Sequence, residues 1–595
     1  MRTLSWGVAF AALVVGPGCL LDAEGKGGHG GSAGGAGGST TAVGAGGEGG
    51  LCNEASDCPN DACTTYECGP THTCLPQFEP EGTLCGSGHA CDGAGHCWLV
   101  DGELCASPAE CLSGICLEGV CCDTTCDGPC EVCEGGVGIC SPATPGTDPD
   151  GDCSGDLCDG FGSCAAGAVK SAVSFGDDAG EVAVSGLALD SMDRAVLGGH
   201  YLGTVGALPA AVGIDGLVAR LGTANFSQAL SGNDGQHVSG VARGPADEIV
   251  AAGYFSDEIR ASVPLSINTA GNDLNAFVAR YDASGTPDLL LAFGDVQGEQ
   301  RAEGVAVDAQ GNLYVVGTLT GQIDFGGTIP AITSLAPTIP ALFVMKLDSE
   351  GVPLWAKVFG DATLAQSATS VAVDAAGHVA IAGALRGTVT FGVGVSIAAG
   401  AHGAAFVAVL DAASGDAAWG SAATSTTADQ IVHAIAFDAA GGVAVAGTLV
   451  GAVDFAGQSV DAGASSDAFA ALFDDQGALK WVDLLGDANA PQEGRAIAAS
   501  SAGIIFAGDQ RGAPSIRGVS LSAAAGGTDA FVVRLFPADG TPIWVRSFGD
   551  SANQSVSGAA FTSTGDAAIA GVFSGALDTL SVGAETYAYV LTIGP

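Results

Sequence analysis

The stretch GVAVDAQGNLYVVGTLTG, residues 304–321, decides the fold. It reads as two short strands rich in Val, Leu and Tyr around the turn Asp308-Ala-Gln-Gly311. Such runs, bounded by Asp and Gly, predict a hairpin. The first half recurs as GLALDSMD (186–193), GVARGPAD (240–247), SVAVDAAG (370–377), AIAFDAAG (434–441), AIAASSAG (496–503) and GAAFTSTG (558–565). From Asp190 through Gly244, Asp308, Asp374, Asp438 and Ser500 to Thr562 the steps are 54, 64, 66, 64, 62 and 62 residues. Each copy continues into a third strand, such as AFVARYD (276–282), and a fourth, such as PLWAKVFGD (353–361). The turn Asp residues are expected to accept hydrogen bonds within their own turns.

A sustained period of short strands implies radially repeated sheets or a linear array. The last copy stops at its third strand, AYVLTIG (588–594), while a lone fourth strand, VKSAVSFGD (169–177), precedes the first copy. A sheet completed from both ends would leave no open edge. The expectation is therefore an all-β fold, a seven-bladed β-propeller of four-stranded blades over 169–595, closed by its N-terminal strand. The phrase resembles bacterial seven-bladed β-propeller repeat proteins over that range. The resemblance implies the fold and no activity, because one fold carries many functions.

In front lies a different composition. Residues 51–168 hold twenty of the 21 cysteines. Cys52-x5-Cys58-x4-Cys63-x4-Cys68 recurs as Cys105-x5-Cys111-x4-Cys116-x4-Cys121. CDGxGxC occurs at Cys91–Cys97 and Cys158–Cys164, and Cys74, Cys85, Cys122, Cys126, Cys130, Cys133, Cys140 and Cys153 complete the set. So dense a framework, with few aliphatic residues, predicts a module of low secondary structure held by ten disulfides. The pairing is not readable from spacing, although adjacent Cys121 and Cys122 need different partners. Cys130-x2-Cys133 lacks the second pair of a zinc ribbon and the βαβ setting of a redox site. The run LSGICLEGVCCDTTCDGPCEVC (112–133) followed by GTDPDGDC (146–153) resembles the cysteine-rich repeats of myxobacterial exported lipoproteins. That resemblance implies an address and no chemistry.

Residues 1–18 read as an export signal, with Arg2 before an apolar run from Leu4 to Val15. Cys19 follows in a site that resembles a lipobox, and it is the one cysteine outside the cluster. Lipid attachment at Cys19 is expected, with outer-membrane or cell-surface placement; a periplasmic or secreted protein is the alternative. Residues 19–50 are the anchor site and a Gly-rich coil. The motif hits Gly30–Gly34 and Gly44–Gly49 fall inside this coil, with no strand before or helix after them.

The formal net charge is −47. A surface this acidic repels phosphate backbones and anionic lipid, so nucleic acid is not an expected partner and any membrane contact runs through the lipid. A monomer with a protein or glycan ligand is expected. Calcium is the one cofactor the residues suit: Asp148, Asp150 and Asp152 alternate in one acidic turn. Asp177, Asp295, Asp361, Asp487 and Asp550 each follow Gly at a fourth-strand exit and are candidates for a carboxylate ring at the channel mouth. Trp355, Trp419, Trp481 and Trp544 share one fourth-strand position, expected to pack between blades. His200, His237, His378, His402 and His433 show no metal-type spacing, and no nucleophile elbow, HExxH or P-loop occurs in the repeats. The reading is a non-catalytic binding or adhesion scaffold on a disulfide-rich stalk. Two alternatives are a propeller-borne glycan lyase or hydrolase, which convergent His, Tyr, Arg or carboxylate side chains would favour, and a passive envelope component.

Overall fold

A computed structural model describes residues 51–594 except 59, 118, 127–129, 134–135, 144–156, 159–163, 166, 223–224, 234, 262–264, 270–272, 295–297 and 327. Cys19, Asp148, Asp150, Asp152, Cys153 and Asp295 lie outside the described residues, as do the side chains of Cys158 and Cys164. The chain is all-β, with two single-turn 3-10 helices at Ala55–Asp57 and Pro108–Glu110. It falls into two compact units. One runs through Thr125 and includes Cys133–Ile139; the other comprises Cys126–Val132 and everything from Cys140 onward.

The cysteine-rich unit has short hairpins, such as Thr64–Cys68 with Cys74–Phe78, and a core made largely of sulfur. Its described disulfides are Cys52–Cys68, Cys58–Cys74, Cys63–Cys91, Cys85–Cys97, Cys105–Cys116, Cys111–Cys121 and Cys122–Cys133. Cys126–Cys140 lies in the larger unit, and Cys130 is also disulfide-bonded. Cys121 and Cys122 take different partners, as adjacency requires. The duplicated spacing does not give duplicated wiring. The first cysteine of the phrase bonds the fourth in one copy and the third in the other.

The larger unit is a series of four-stranded antiparallel sheets in simple up-and-down order. Repeat three shows the pattern: Gln300–Val307, Leu313–Leu319, Ala341–Leu347 and Pro353–Phe359. Its two middle strands are buried at almost every position, which is why they read as unbroken apolar runs rather than alternating ones. Sheets pack face to face. One core joins Val250 and Val278 of repeat two to Val315 and Phe343 of repeat three. Another joins Leu197 and Leu217 of repeat one to Ala570 and Val590 of repeat seven. Each fully buried Val, Leu or Phe contributes about 1.5–3 kcal/mol.

Val169–Phe175 pairs antiparallel with Tyr587–Ile593, as the outer strand of the last sheet. Lys170 bridges Asp566 at 2.7 Å, and Tyr587 Oη donates to Asp178 at 2.7 Å. The turn Asp residues do what their position implies. Asp308 Oδ1 accepts the N–H groups of Gln310 and Asn312, and Asp374 and Asp438 do the same two and four residues on.

The residues between second and third strands are largely β-structure in repeats four and five and short hairpins in repeats three and six. In repeats four and five the two strands lengthen into His378–Thr390 with Ser396–Asp411 and Val443–Phe455 with Gln458–Phe473. One extension of repeat five and the separate short strand Ser515–Ile516 of repeat six each grip the preceding sheet. Phe455 and Asp454 pair with Ala423 and Thr424 of repeat four, and Ile516 and Ser515 pair with Leu485 and Gly486 of repeat five.

Candidate functional site

Every first strand slips register once, at the same place. The skipped residues are Ser185, Ser239, Glu303, Thr369, His433, Arg495 and Ser557. A bulge turns its residue out of the ladder and re-aims the side chain. All seven line one cavity of about 500 Å³, together with Gly, Val, Ala, Ile and Leu of the same strands. This is the candidate site. One strand from each repeat contributes to it.

Three of the seven carry titratable or charged groups. Burial pushes the Glu303 carboxyl above its usual range, with Arg301 pulling the other way. Burial, then the Arg495 charge, pushes His433 down to about 4, so its imidazole is neutral at pH 7. Neither side chain forms a hydrogen bond or ion pair with another described residue. Arg495 is held from behind. Its Nε donates to Asp509 Oδ2 at 2.6 Å and its Nη2 to Glu493 Oε2 at 2.6 Å. Asp509 also accepts from Ser555 Oγ at 3.1 Å and the Val556 N–H at 3.0 Å. Burial outweighs Arg495 at Asp509 and holds its carboxyl above the usual range. Thr369 Oγ1 donates to Val432 O at 2.7 Å, tying one first strand to the next.

A second polar cluster occupies the same level of repeats one to three. His200 and Tyr254 each follow the Gly of a second strand, while His237 and Arg301 stand two residues before a bulge. His237 Nδ1 lies 3.3 Å from His200 Nδ1. His237 stacks on Tyr254 with centroids 4.9 Å apart, and the Arg301 guanidinium sits 4.9 Å from the centroid of the same Tyr254 ring. Burial lowers both histidines, His200 to about 4.

The described aspartates expected at the channel mouth, Asp177, Asp361, Asp487 and Asp550, are not among the residues lining the cavity. Each accepts N–H groups of its own turn, and Asp487 and Asp550 also accept one from 26 residues further on. Asp177 accepts from Ala179; Asp361 from Thr363 and Leu364; Asp487 from Asn489 and Ala513; Asp550 from Ala552 and Ala576. These bonds lower the carboxyls of Asp361, Asp487 and Asp550. The Gly before each has its own reason. A Cβ at Gly486 or Gly549 would overlap the carboxylate of Asp467 or Asp529.

The tryptophans pack between sheets. Trp355 Nε1 donates to Ala412 O at 3.0 Å and Trp481 Nε1 to Pro537 O at 3.1 Å, both in the following repeat. Gly477 in the following repeat leaves room for Trp419. Trp544 is buried in the core shared with repeat seven.

Sequence reasoning missed the bulged ring, although a signal exists. The residue just before each recurring phrase is polar in all seven copies. A second missed signal lies three residues before six of the seven bulges, where Gln236, Gln300, Gln366, Gln430, Gln492 and Gln554 stand. All six are at most 2% exposed. Each amide latches its strand to the end of the second strand. Gln300 Nε2 donates to Gln322 O at 2.9 Å, and Gln430 both donates to Val450 O and accepts from its N–H.

No family profile matches the chain, and no curated protein matches its sequence. Solved structures align with much of the chain at low identity. A quinohemoprotein alcohol dehydrogenase from Pseudomonas putida is 12% identical over 69% of this chain and 76% of its own, with a TM-score of 0.30. Polysaccharide lyase Uly1 is 10% identical over 72% of this chain and 99% of its own, with a TM-score of 0.36. A luciferin-regenerating enzyme is 12% identical over 71% and 97%, with a TM-score of 0.29.

Proposed function

We propose that the repeats form a closed seven-bladed β-propeller whose central cavity binds a small hydroxyl-rich ligand, such as the end of a neutral glycan. The observation that carries this reading is the ring of seven bulged residues around one cavity. Hydroxyls of Ser185, Ser239 and Ser557 offer donors and acceptors, and Glu303 and His433 have no side-chain hydrogen-bond partner among the described residues. Concave sites with a few convergent polar groups are where small ligands bind. The net charge of −47 disfavours polyanions. The chain is proposed to be exported and lipid-anchored through Cys19, with the cysteine-rich unit as stalk. Eight described disulfides support an oxidising compartment. The test is a glycan-binding screen of the whole chain followed by calorimetry on any hit. Glu303→Gln and His433→Ala should weaken binding, while Asp361→Asn should not. Binding that survives both cavity variants would end this reading.

An enzyme is the second reading, favoured by the contact of His237, Tyr254 and Arg301 beside Glu303. A neutral imidazole and a guanidinium side by side suit proton abstraction next to a carboxylate, the chemistry of a glycan lyase. Incubation with polyuronates, read by the absorbance of the unsaturated product, checks it. Wild type and Tyr254→Phe giving the same flat trace would exclude it.

A further inference from the structure

Two imidazoles from different repeats meet with their Nδ1 atoms 3.3 Å apart. His200 lies on Ala195–Gly203 and His237 on Gln236–Arg243, strands of adjacent sheets with fixed registers. The rings stand edge to face, with an interplanar angle of 66° and centroids 4.5 Å apart. The Tyr254 ring stacked on His237 fixes that ring from the other side.

We propose that His200 and His237 bind one zinc ion through their Nδ1 atoms, at an open site completed by solvent or by a ligand. The geometry selects the metal. Two nitrogens at zinc-bond lengths of about 2.0–2.1 Å in a tetrahedral arrangement stand roughly 3.3–3.4 Å apart. At comparable bond lengths the right angles of square-planar copper or octahedral nickel bring cis nitrogens to about 2.9 Å. The pair matches the tetrahedral spacing. Both rings must offer a lone pair, and the burial that keeps them neutral near pH 7 serves this. Neither ring has another side-chain hydrogen bond among the described residues. Two protein ligands are one fewer than catalytic zinc sites use, so solvent or a bound ligand must fill the remaining positions. Arg301 is the nearby opposing charge, and its guanidinium is paired with Glu299 at 3.2 Å.

The inference is independent of what the central cavity binds, since neither histidine lines it. The described cysteines cannot compete, because all are disulfide-bonded in the oxidised chain. The experiment is calorimetric titration of the oxidised, metal-stripped full chain with zinc chloride, beside His200→Ala, His237→Ala and a His402→Ala control. One site per chain is expected in wild type and control, weakened more than about tenfold in each of the other two. Circular dichroism checks that the variants fold. Imidazole nitrogen shifts of the wild-type chain, recorded with and without zinc, give a readout free of any variant. Binding that is the same in all four proteins, or nitrogen shifts of His200 and His237 that zinc leaves unmoved, would overturn the proposal and leave a simple N–H···N hydrogen bond between the rings.

Discussion

In the cysteine-rich unit, two copies of one spacing are wired differently; in the repeat unit, seven copies of one phrase are wired alike. Cys52 bonds the fourth cysteine of its phrase and Cys105 the third of its own. By contrast, every first strand in the repeat unit slips register at the same residue, and six of the seven carry the same buried Gln three residues before the slip. A disulfide is a single link, and the path of the chain between cysteines decides which sulfurs meet. A strand makes bonds along its whole length, and a one-residue slip would turn its apolar face outward. Repeated strand patterns therefore carry their connectivity with them, and repeated cysteine spacings do not.

The contrast is broken most forcefully by reduction. Disulfides closing loops of 10–28 residues each contribute about 2–4 kcal/mol. A reductant should abolish hydrogen-exchange protection across residues 52–121 while leaving strands such as Leu313–Leu319 protected. Loss of protection in both units together would show that the repeat unit leans on the cystines. The next largest effect belongs to the strand at the start of the repeats. Deleting residues 165–180 removes the partner of Tyr587–Ile593 and leaves an open edge. The variant should aggregate or oligomerise on size exclusion; a monomer with an unchanged melting midpoint would contradict terminal-strand pairing as a stability element.

Asp467 sharpens the comparison by showing what the regular wiring tolerates. It is 8% exposed and accepts no described hydrogen bond. Burial, then Asp461 and Asp487, pushes its carboxyl up to about 7 from the ordinary 3.8. The folded state thus holds this proton more tightly than the unfolded chain. Its contribution to stability is complete below about pH 4 and is lost as pH rises to 7. Asp467→Asn should melt near wild type at pH 4 and higher at pH 8, by at most about 4 kcal/mol. Equal midpoints of the two proteins at pH 8 would show the carboxylate to be well solvated. The smallest effect is expected at the latch. Gln300→Leu strands the Gln322 carbonyl without its donor and should cost about 1–3 kcal/mol in denaturant unfolding. An unaltered midpoint would mean that the latch positions the loop without stabilising it.

Much of the site lay one step beyond what the sequence makes legible. The polar position before GVAV, HAIA or RAIA is visible once the repeats are aligned. That it faces a cavity is not, because a strand with period two would place it on the same face as its second neighbour, and only the bulge changes this. The Gly-Asp exits were legible as residues, and the described ones are not among the residues that line the cavity. Asp361 and Asp550 are drawn into their own turns by nearby N–H groups, a local geometry that competes with any shared site.

By itself the sequence determined the strands, their period, the turn aspartates and the cysteine-dense front. These depend on side chains and turns a few residues apart, and such neighbours are fixed by covalent chain length. The tertiary structure alone decided which sulfurs pair, where the bulges aim Glu303, His433 and Arg495, and that His200 meets His237. Those outcomes depend on register and on the packing of one sheet against the next. Residues of different repeats come within a few ångströms only when both registers are set, and no local pattern records that distance.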